Sequence, residues 1–146
     1  MTKEFPSIPV VGEVIPLNAG DVESTLAYWA DDAIVQLIGV LADIQVSYNG
    51  KQQVRSWLED LVVHHVQIEV KVIRVQGNTV IARRQTWSDL TGQPDAIPLV
   101  TTEVYVVKDG KIISLTSTVS PASRLRFQVA LEALYKNRGG ELKQEE

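Results

Sequence analysis

Apolar residues recur along the chain with a period that changes from segment to segment. Residues 5–19 are mostly apolar but contain Pro6, Pro9 and Pro16. An interior proline removes a helical hydrogen bond and clashes with the preceding turn, so a short or kinked helix is expected there. Gly20-Asp21 restarts the chain, and Asp21 is a suitable N-cap for a helix over about 22–31. Val22, Leu26 and Trp29 fall on one stripe of that helix. Ala33–Ile38 reads as a buried strand and Gln45–Tyr48 as a second short extended piece. Asn49-Gly50 then opens a helix over 51–64, with Val54, Trp57, Leu58 and Leu61 facing inward.

From Val66 onward the period becomes two. Val66–Val72 alternates strictly, as a strand with one dry face should. Gly77-Asn78 turns the chain into a strand over 79–89, and a longer loop holding Thr91-Gly92-Gln93-Pro94 leads to Leu99–Val107. Asp109-Gly110 is a strong hairpin signal that delivers Lys111–Val119. Ser120 and Pro121 suit the N-cap and first position of a last helix, ending near Gly139-Gly140, with a charged tail over 141–146. Its apolar positions include Leu125, Val129, Leu134 and Tyr135. Helices, short strands, a helix and then an antiparallel meander indicate one α+β domain over 1–146.

Composition narrows the function classes. The chain has 146 residues, 45% apolar and 22% charged, ordinary values for a globular protein. It has no cysteine, which excludes disulfides, thiolate metal sites and cysteine nucleophiles. The net charge is −4 and the basic residues are scattered, so no nucleic-acid partner is expected. No stretch approaches the ~18 apolar residues of a bilayer span, and the N-terminus lacks the apolar core of a signal peptide. A cytoplasmic protein without membrane contact is expected. No glycine-rich phosphate loop, serine elbow or metal-ligand set occurs, so neither cofactor nor metal is expected.

Three segments carry a resemblance. Leu17-Asn18-Ala19-Gly20-Asp21 with Ala27–Ala33 is similar to the opening of SnoaL-type polyketide cyclases and ketosteroid isomerases. Asn49-Gly50-Lys51 before the central helix is a second match. Glu103–Val107 with Asp109-Gly110-Lys111-Ile112 is a third. Together they span about 17–119 and resemble the nuclear transport factor 2-like superfamily. The resemblance implies a cone-shaped, curved antiparallel sheet wrapped around helices (a cystatin-like roll), a pocket for a small apolar molecule, and a homodimer. The exposed sheet face and the last helix are the candidate dimer surfaces.

The family's chemistry transfers incompletely. The isomerases' carboxylate base falls at Leu37, or at Gln36 if the register slips by one, and their oxyanion tyrosine falls near Glu13. The arginine of limonene epoxide hydrolases is matched by Arg84, but Thr86 and approximately Ser117 stand where its two carboxylates should be. A hydroxyl titrating far above neutrality cannot replace a base. Glu103 stands where the isomerases carry a second, protonated carboxyl group.

If Ser88 faces Leu99, paired positions place Arg84 opposite Glu103, Thr86 opposite Thr101 and Ala82 opposite Tyr105. Across the hairpin, Glu103 then faces Thr116. One sheet face would carry Arg84, Thr86, Thr101, Glu103, Tyr105, Thr116 and Thr118. The other would carry Ile81, Arg83, Gln85, Trp87, Val100, Val104, Val106, Ile113, Leu115 and Val119. Resemblance puts Tyr105 and Glu103 inside, whereas polarity puts the aliphatic face inside. An inward Glu103 would pair with Arg84, because an unpaired buried carboxylate is costly.

Glu103, Arg84 and Tyr105 are therefore the candidate catalytic residues, with Trp29, Tyr48, Trp57, Trp87 and Thr101 the candidate ligand-binding residues. Asp43, between the two early strands, is a further acid that could overhang a pocket. Asp31-Asp32 reads as the end of the first helix. His64-His65 reads as the end of the central helix, favoured there by the helix dipole, without an acid or histidine one turn further on. One of the two could still line a pocket mouth. Two functions fit: a cofactor-independent cyclase, isomerase or lyase acting on an apolar or polyketide-like compound, or a non-catalytic ligand-binding or dimerising module.

Overall fold

A computed structural model describes residues 5–41, 44–89 and 98–126. The proline-rich start folds as two short helices, α1 (Ser7–Gly12) and α2 (Val14–Asn18), with Glu13 at their junction. Helix α3 (Val22–Leu26) is capped by Asp21, whose carboxylate accepts from the Ser24 amide at 3.1 Å and the Ser24 hydroxyl at 2.6 Å. The helix expected to reach residue 31 stops here, because Trp29 already belongs to strand β1 (Trp29–Leu41). The Ile112 amide donates to the Tyr28 carbonyl at 2.8 Å, and Trp29 pairs with Ile112. Pairing with a distant strand thus overrides the local helical stripe. Val22 and Leu26 keep their inward positions, and Trp29 enters the core from the sheet instead.

Strand β2 (Ile44–Asn49) returns beside β1, and Gly50 turns the chain into α4 (Lys51–Val63). Gly50 has φ 87°, a left-handed conformation that favours glycine, and its amide donates to the Ala33 carbonyl at 2.7 Å. Strands β3 (Gln67–Gln76), β4 (Thr79–Trp87), β5 (Leu99–Lys108) and β6 (Lys111–Val119) complete a six-stranded sheet. Its order is β2-β1-β6-β5-β4-β3, antiparallel except where β1 runs parallel to β6. Asp109 and Gly110 both have positive φ, 53° and 74°, as a tight hairpin turn requires.

The sheet is curved, and α1, α2, α3 and α4 fill its concave side. Val10, Leu17, Leu26, Val54 and Leu58 pack there against Trp29, Val35, Val80, Ala82, Tyr105, Ile112 and Leu115. Asn18 clips α2 to the sheet edge: its amide accepts from the Ile68 amide and donates to the Ile68 carbonyl, both at 2.8 Å. The side chain thereby imitates a strand neighbour on β3, which stands at the end of the sheet.

Two registers differ from those expected. Thr86, not Ser88, faces Leu99, so Ala82 lies opposite Glu103, Arg84 opposite Thr101 and Val80 opposite Tyr105. The slip is an even number of residues, so each side chain keeps its face. Across the second hairpin Glu103 faces Ser117, because the register shifts between Val106 and Val107. That odd slip exchanges the faces of β6: Leu115, Ser117 and Val119 turn inward, and Thr116 and Thr118 do not. Ser120 caps the segment after β6 as expected, its hydroxyl accepting from the Ser123 amide at 3.2 Å. That segment is helical over 121–126, with Leu125 exposed; Val129, Leu134 and Tyr135, the 91–94 loop and Asp43 lie outside the described residues.

Candidate functional site

Between α4 and the inner sheet face lies a cavity of about 170 Å³. Its walls are hydrocarbon and aromatic: Leu37 from β1, Trp57 and Leu61 from α4, Val66 and Ile68 at β3, and Val119 from β6. Arg84, Glu103, Thr101 and Ser117 supply polar surface from the sheet, and Asp60 and His64 do so from the end of α4.

Arg84 sits at the centre of a buried polar row. Its Nε lies 3.1 Å from Glu103 Oε1, and its Nη2 donates to Tyr105 Oη at 2.7 Å and to Glu13 Oε1 at 3.4 Å. Trp29 Nε1 donates to the other Glu13 oxygen at 3.1 Å, and Thr101 Oγ1 donates to Glu103 Oε1 at 2.8 Å. Glu13, Glu103, Tyr105 and Trp29 are all 0% exposed and Arg84 only 5%. The short contact between Arg84 Nε and Glu103 Oε1 is misaligned for a hydrogen bond and leaves Nε without one, and the other Glu103 oxygen, Oε2, has no hydrogen-bonding partner of its own. An ion pair close enough for Coulomb attraction but short of hydrogen bonds is a costly arrangement in a core, where unmade bonds carry the full desolvation penalty.

Two carboxyl groups share this one guanidinium. Burial, opposed by Arg84 and the Trp29 hydrogen bond, pushes the Glu13 carboxyl up to about 7. Burial also pushes the Tyr105 phenol far above its usual range, so it is neutral and remains so at any ordinary pH. For Arg84, burial acts to lower the pKa, but Tyr105, Glu103 and Glu13 outweigh it and the guanidinium stays charged.

Sequence reasoning placed several of these groups. Arg84, Glu103, Thr101 and Trp57 line the cavity. Tyr105 is inside but stands behind Arg84, outside the cavity lining. Trp29 and Tyr48 reach the site through Trp57, with ring centroids 6.0 Å and 6.1 Å from it. Trp87 stands apart from this cavity and lines a surface depression with Asn18, Gln67 and Glu69. Strand alternation turns Arg84 and Thr86 inward and Trp87 outward. Asp31 and Asp32 belong to β1 rather than to a helix end and are exposed, Asp31 lying 3.6 Å from Lys51 Nζ.

Two participants lie outside the candidate site residues, although the resemblance sets Glu13 near the isomerases' oxyanion tyrosine. Glu13 is a lone acid in an otherwise apolar stretch, a signal that it is either paired in the core or at a break. Asp60 stands one turn before His64, with its carboxylate 3.7 Å from His64 Nδ1. The histidines themselves part company. His65 takes φ 57° and turns to Asp89, 2.7 Å away, while His64 remains on the cavity lining. Among the described residues no cluster of three or more histidines and acids could hold a metal, and no helix is long and apolar enough to cross a membrane.

A helix-filled curved sheet with a polar-floored cavity beneath α4 is the architecture of a known family. The chain belongs to the SnoaL-like domain family, whose model matches residues 16–115. Among solved structures it is similar to an NTF2-like protein of unknown function from Cytophaga hutchinsonii, with a TM-score of 0.64, 14% identity, and coverage of 83% of this chain and 95% of that one. A candidate polyketide cyclase from Sinorhizobium meliloti gives a TM-score of 0.60 at 19% identity, covering 75% and 92%. An LEH-like epoxide hydrolase from M. tuberculosis gives 0.61 at 18% identity, covering 88% and 95%. Identities this low establish a shared fold. No protein of curated function matches the sequence.

Proposed function

We propose that the chain is a cofactor-independent small-molecule pocket protein that holds a compact, largely apolar molecule beneath α4, with an oxygen of that molecule against Arg84. One observation carries this reading: the charged Arg84 side chain and the Thr101 and Ser117 hydroxyl groups lie on the lining of an otherwise largely apolar cavity. A few polar groups set in an apolar wall are what fixes the orientation of a small ligand.

Size limits the ligand further. An apolar cavity of about 150 Å³ accepts benzene, whereas drug-sized ligands occupy about 300 Å³ or more. At about 170 Å³, this cavity suits a single substituted ring or a short branched chain rather than fused rings. The name of one structural relative, a candidate polyketide cyclase, supports cyclase-type chemistry on such a molecule. Arg84 would polarise a carbonyl or ether oxygen, and Tyr105 would hold Arg84 in place rather than touch the ligand.

A second reading, a non-catalytic ligand-binding module of the same fold, is favoured by Leu37. It puts hydrocarbon on the cavity wall at the position matching the isomerases' base.

Trp57 lies on the wall, so its fluorescence should report occupancy. Titration with cyclohexanone is expected to give a saturable change, with affinity roughly tenfold weaker in Ser117→Leu, a loss of about 1.4 kcal/mol. A linear response, or identical affinity in Ser117→Leu, would refute the pocket.

The same reading has two copies packed through the outer sheet face, where Ile34 and Ile38 are 40% and 36% exposed. Sedimentation equilibrium should give twice the chain mass at micromolar concentration; a single-chain mass there would exclude this dimer.

A further inference from the structure

The histidine pair is not used by the reading above, yet only one member of the pair is placed for chemistry. We propose that His64 is the catalytic base of this cavity, taking a proton from the carbon next to a carbonyl whose oxygen lies against Arg84. The inference rests on the pocket reading and adds the group that moves the proton.

Three observations carry it. First, His64 and Arg84 line the same cavity, one at the end of α4 and one on β4. A base and an oxygen-binding cation therefore face one small space. Second, the tautomer follows from a contact. His64 Nδ1 lies 2.9 Å from the Asp60 backbone carbonyl, which can only accept. Nδ1 therefore carries the hydrogen, and in the neutral ring Nε2 holds the lone pair left to meet a ligand. The Asp60 carboxylate, 3.7 Å from Nδ1, is placed to steady the positive charge that arrives with a second proton. Third, His64 is the imidazole of this lining, whose acids Glu103 and Asp60 are engaged with Arg84 and with His64 itself.

The step balances without a co-reactant. The Nε2 lone pair takes the proton, the C–H electrons become a carbon–carbon π bond, and the carbonyl π pair moves to the oxygen beside Arg84. The protonated ring then returns a proton to the same carbon, or to one conjugated with it, and the enolate collapses to a ketone. His64 has 36% of its side chain exposed, so the captured proton can exchange with solvent before it returns. The charged and titratable groups facing this ring are Asp60 on its own helix, and Arg84 on β4 and Glu103 on β5 across the cavity. His65 and Asp89 pair with each other beside it.

Exchange of the α-hydrogens of cyclohexanone in deuterium oxide, followed by proton NMR, tests this without knowledge of the natural substrate. The protein should accelerate exchange, and His64→Ala should lose about 100-fold or more of that acceleration while still binding the ketone by Trp57 fluorescence. Added imidazole should restore exchange to His64→Ala, which a purely structural role would not allow, and His65→Gln should behave as wild type. Saturable binding with no acceleration, or full acceleration in His64→Ala, would overturn the role of His64 and leave the pocket reading intact. Absence of any binding would overturn both.

Discussion

Replacing Glu13 with glutamine should stabilise the protein by about 3 kcal/mol at about pH 8 and leave it nearly unchanged at about pH 4. The sign follows from the direction of the shift. The Glu13 carboxyl titrates at about 7 when folded, against an ordinary value of 4.5. Between those values the folded chain binds the proton and the unfolded chain does not, so stability falls as pH rises through this window. Below it the protonated carboxyl costs nothing extra; above it an ionised carboxylate sits fully buried beside a guanidinium that Glu103 also claims. A shift of this size is worth roughly 3 kcal/mol at 1.36 kcal/mol per pH unit. Glutamine resembles the protonated acid in shape and cannot ionise. Urea denaturation of both proteins across pH checks the expectation, and parallel curves would show that Glu13 carries no such strain.

Arg84→Met should cost about 3–5 kcal/mol, the range for breaking a buried ion pair by removing one partner. The guanidinium is the positive charge between Glu13 and Glu103, and it also donates to Tyr105. Without it two carboxyl groups remain in the core with Trp29 and Thr101 as their donors. The two substitutions should therefore couple. Combining Arg84→Met with Glu13→Gln should recover part of the loss, because one orphaned acid disappears with the arginine. Chemical denaturation at neutral pH measures both. A cost under about 1 kcal/mol, or simple additivity, would mean the row is not a shared charge network.

How much of this was legible in the sequence depended on whether the signal was local. The strict alternation of Val66–Val72, the Asp109-Gly110 turn and the Ser120 cap are set by neighbours a few residues apart, and all reappear in the structure. The end of α3 was not local. Val22, Leu26 and Trp29 fit a helical stripe, and only the distant strand β6 draws Trp29 into the sheet.

Registers were harder still. An even slip between β4 and β5 left Arg84, Thr101 and Glu103 on one face, so the site survived the error. An odd shift near Val106 moved Ser117 and Val119 into the cavity wall and took Thr116 and Thr118 out, and no short-range feature of β6 announces it. Polarity alone misled on β4 and β5, since it preferred the aliphatic face inward, but on β6 it was right for Leu115 and Val119. The buried face holds Arg84, Glu103 and Tyr105 because each satisfies part of another's charge or hydrogen-bonding need. Glu13 completes that arrangement from 71 positions away in sequence from Arg84, a pairing that only the folded chain displays.

The most direct test of the central claim is a crystal structure of the protein soaked with cyclohexanone. The ring should lie between Leu37, Trp57 and Leu61, with its oxygen within hydrogen-bonding distance of Arg84. A ring found only in the surface depression beside Trp87, with Leu37 and Trp57 uncontacted, would contradict the assignment of this cavity as the functional site.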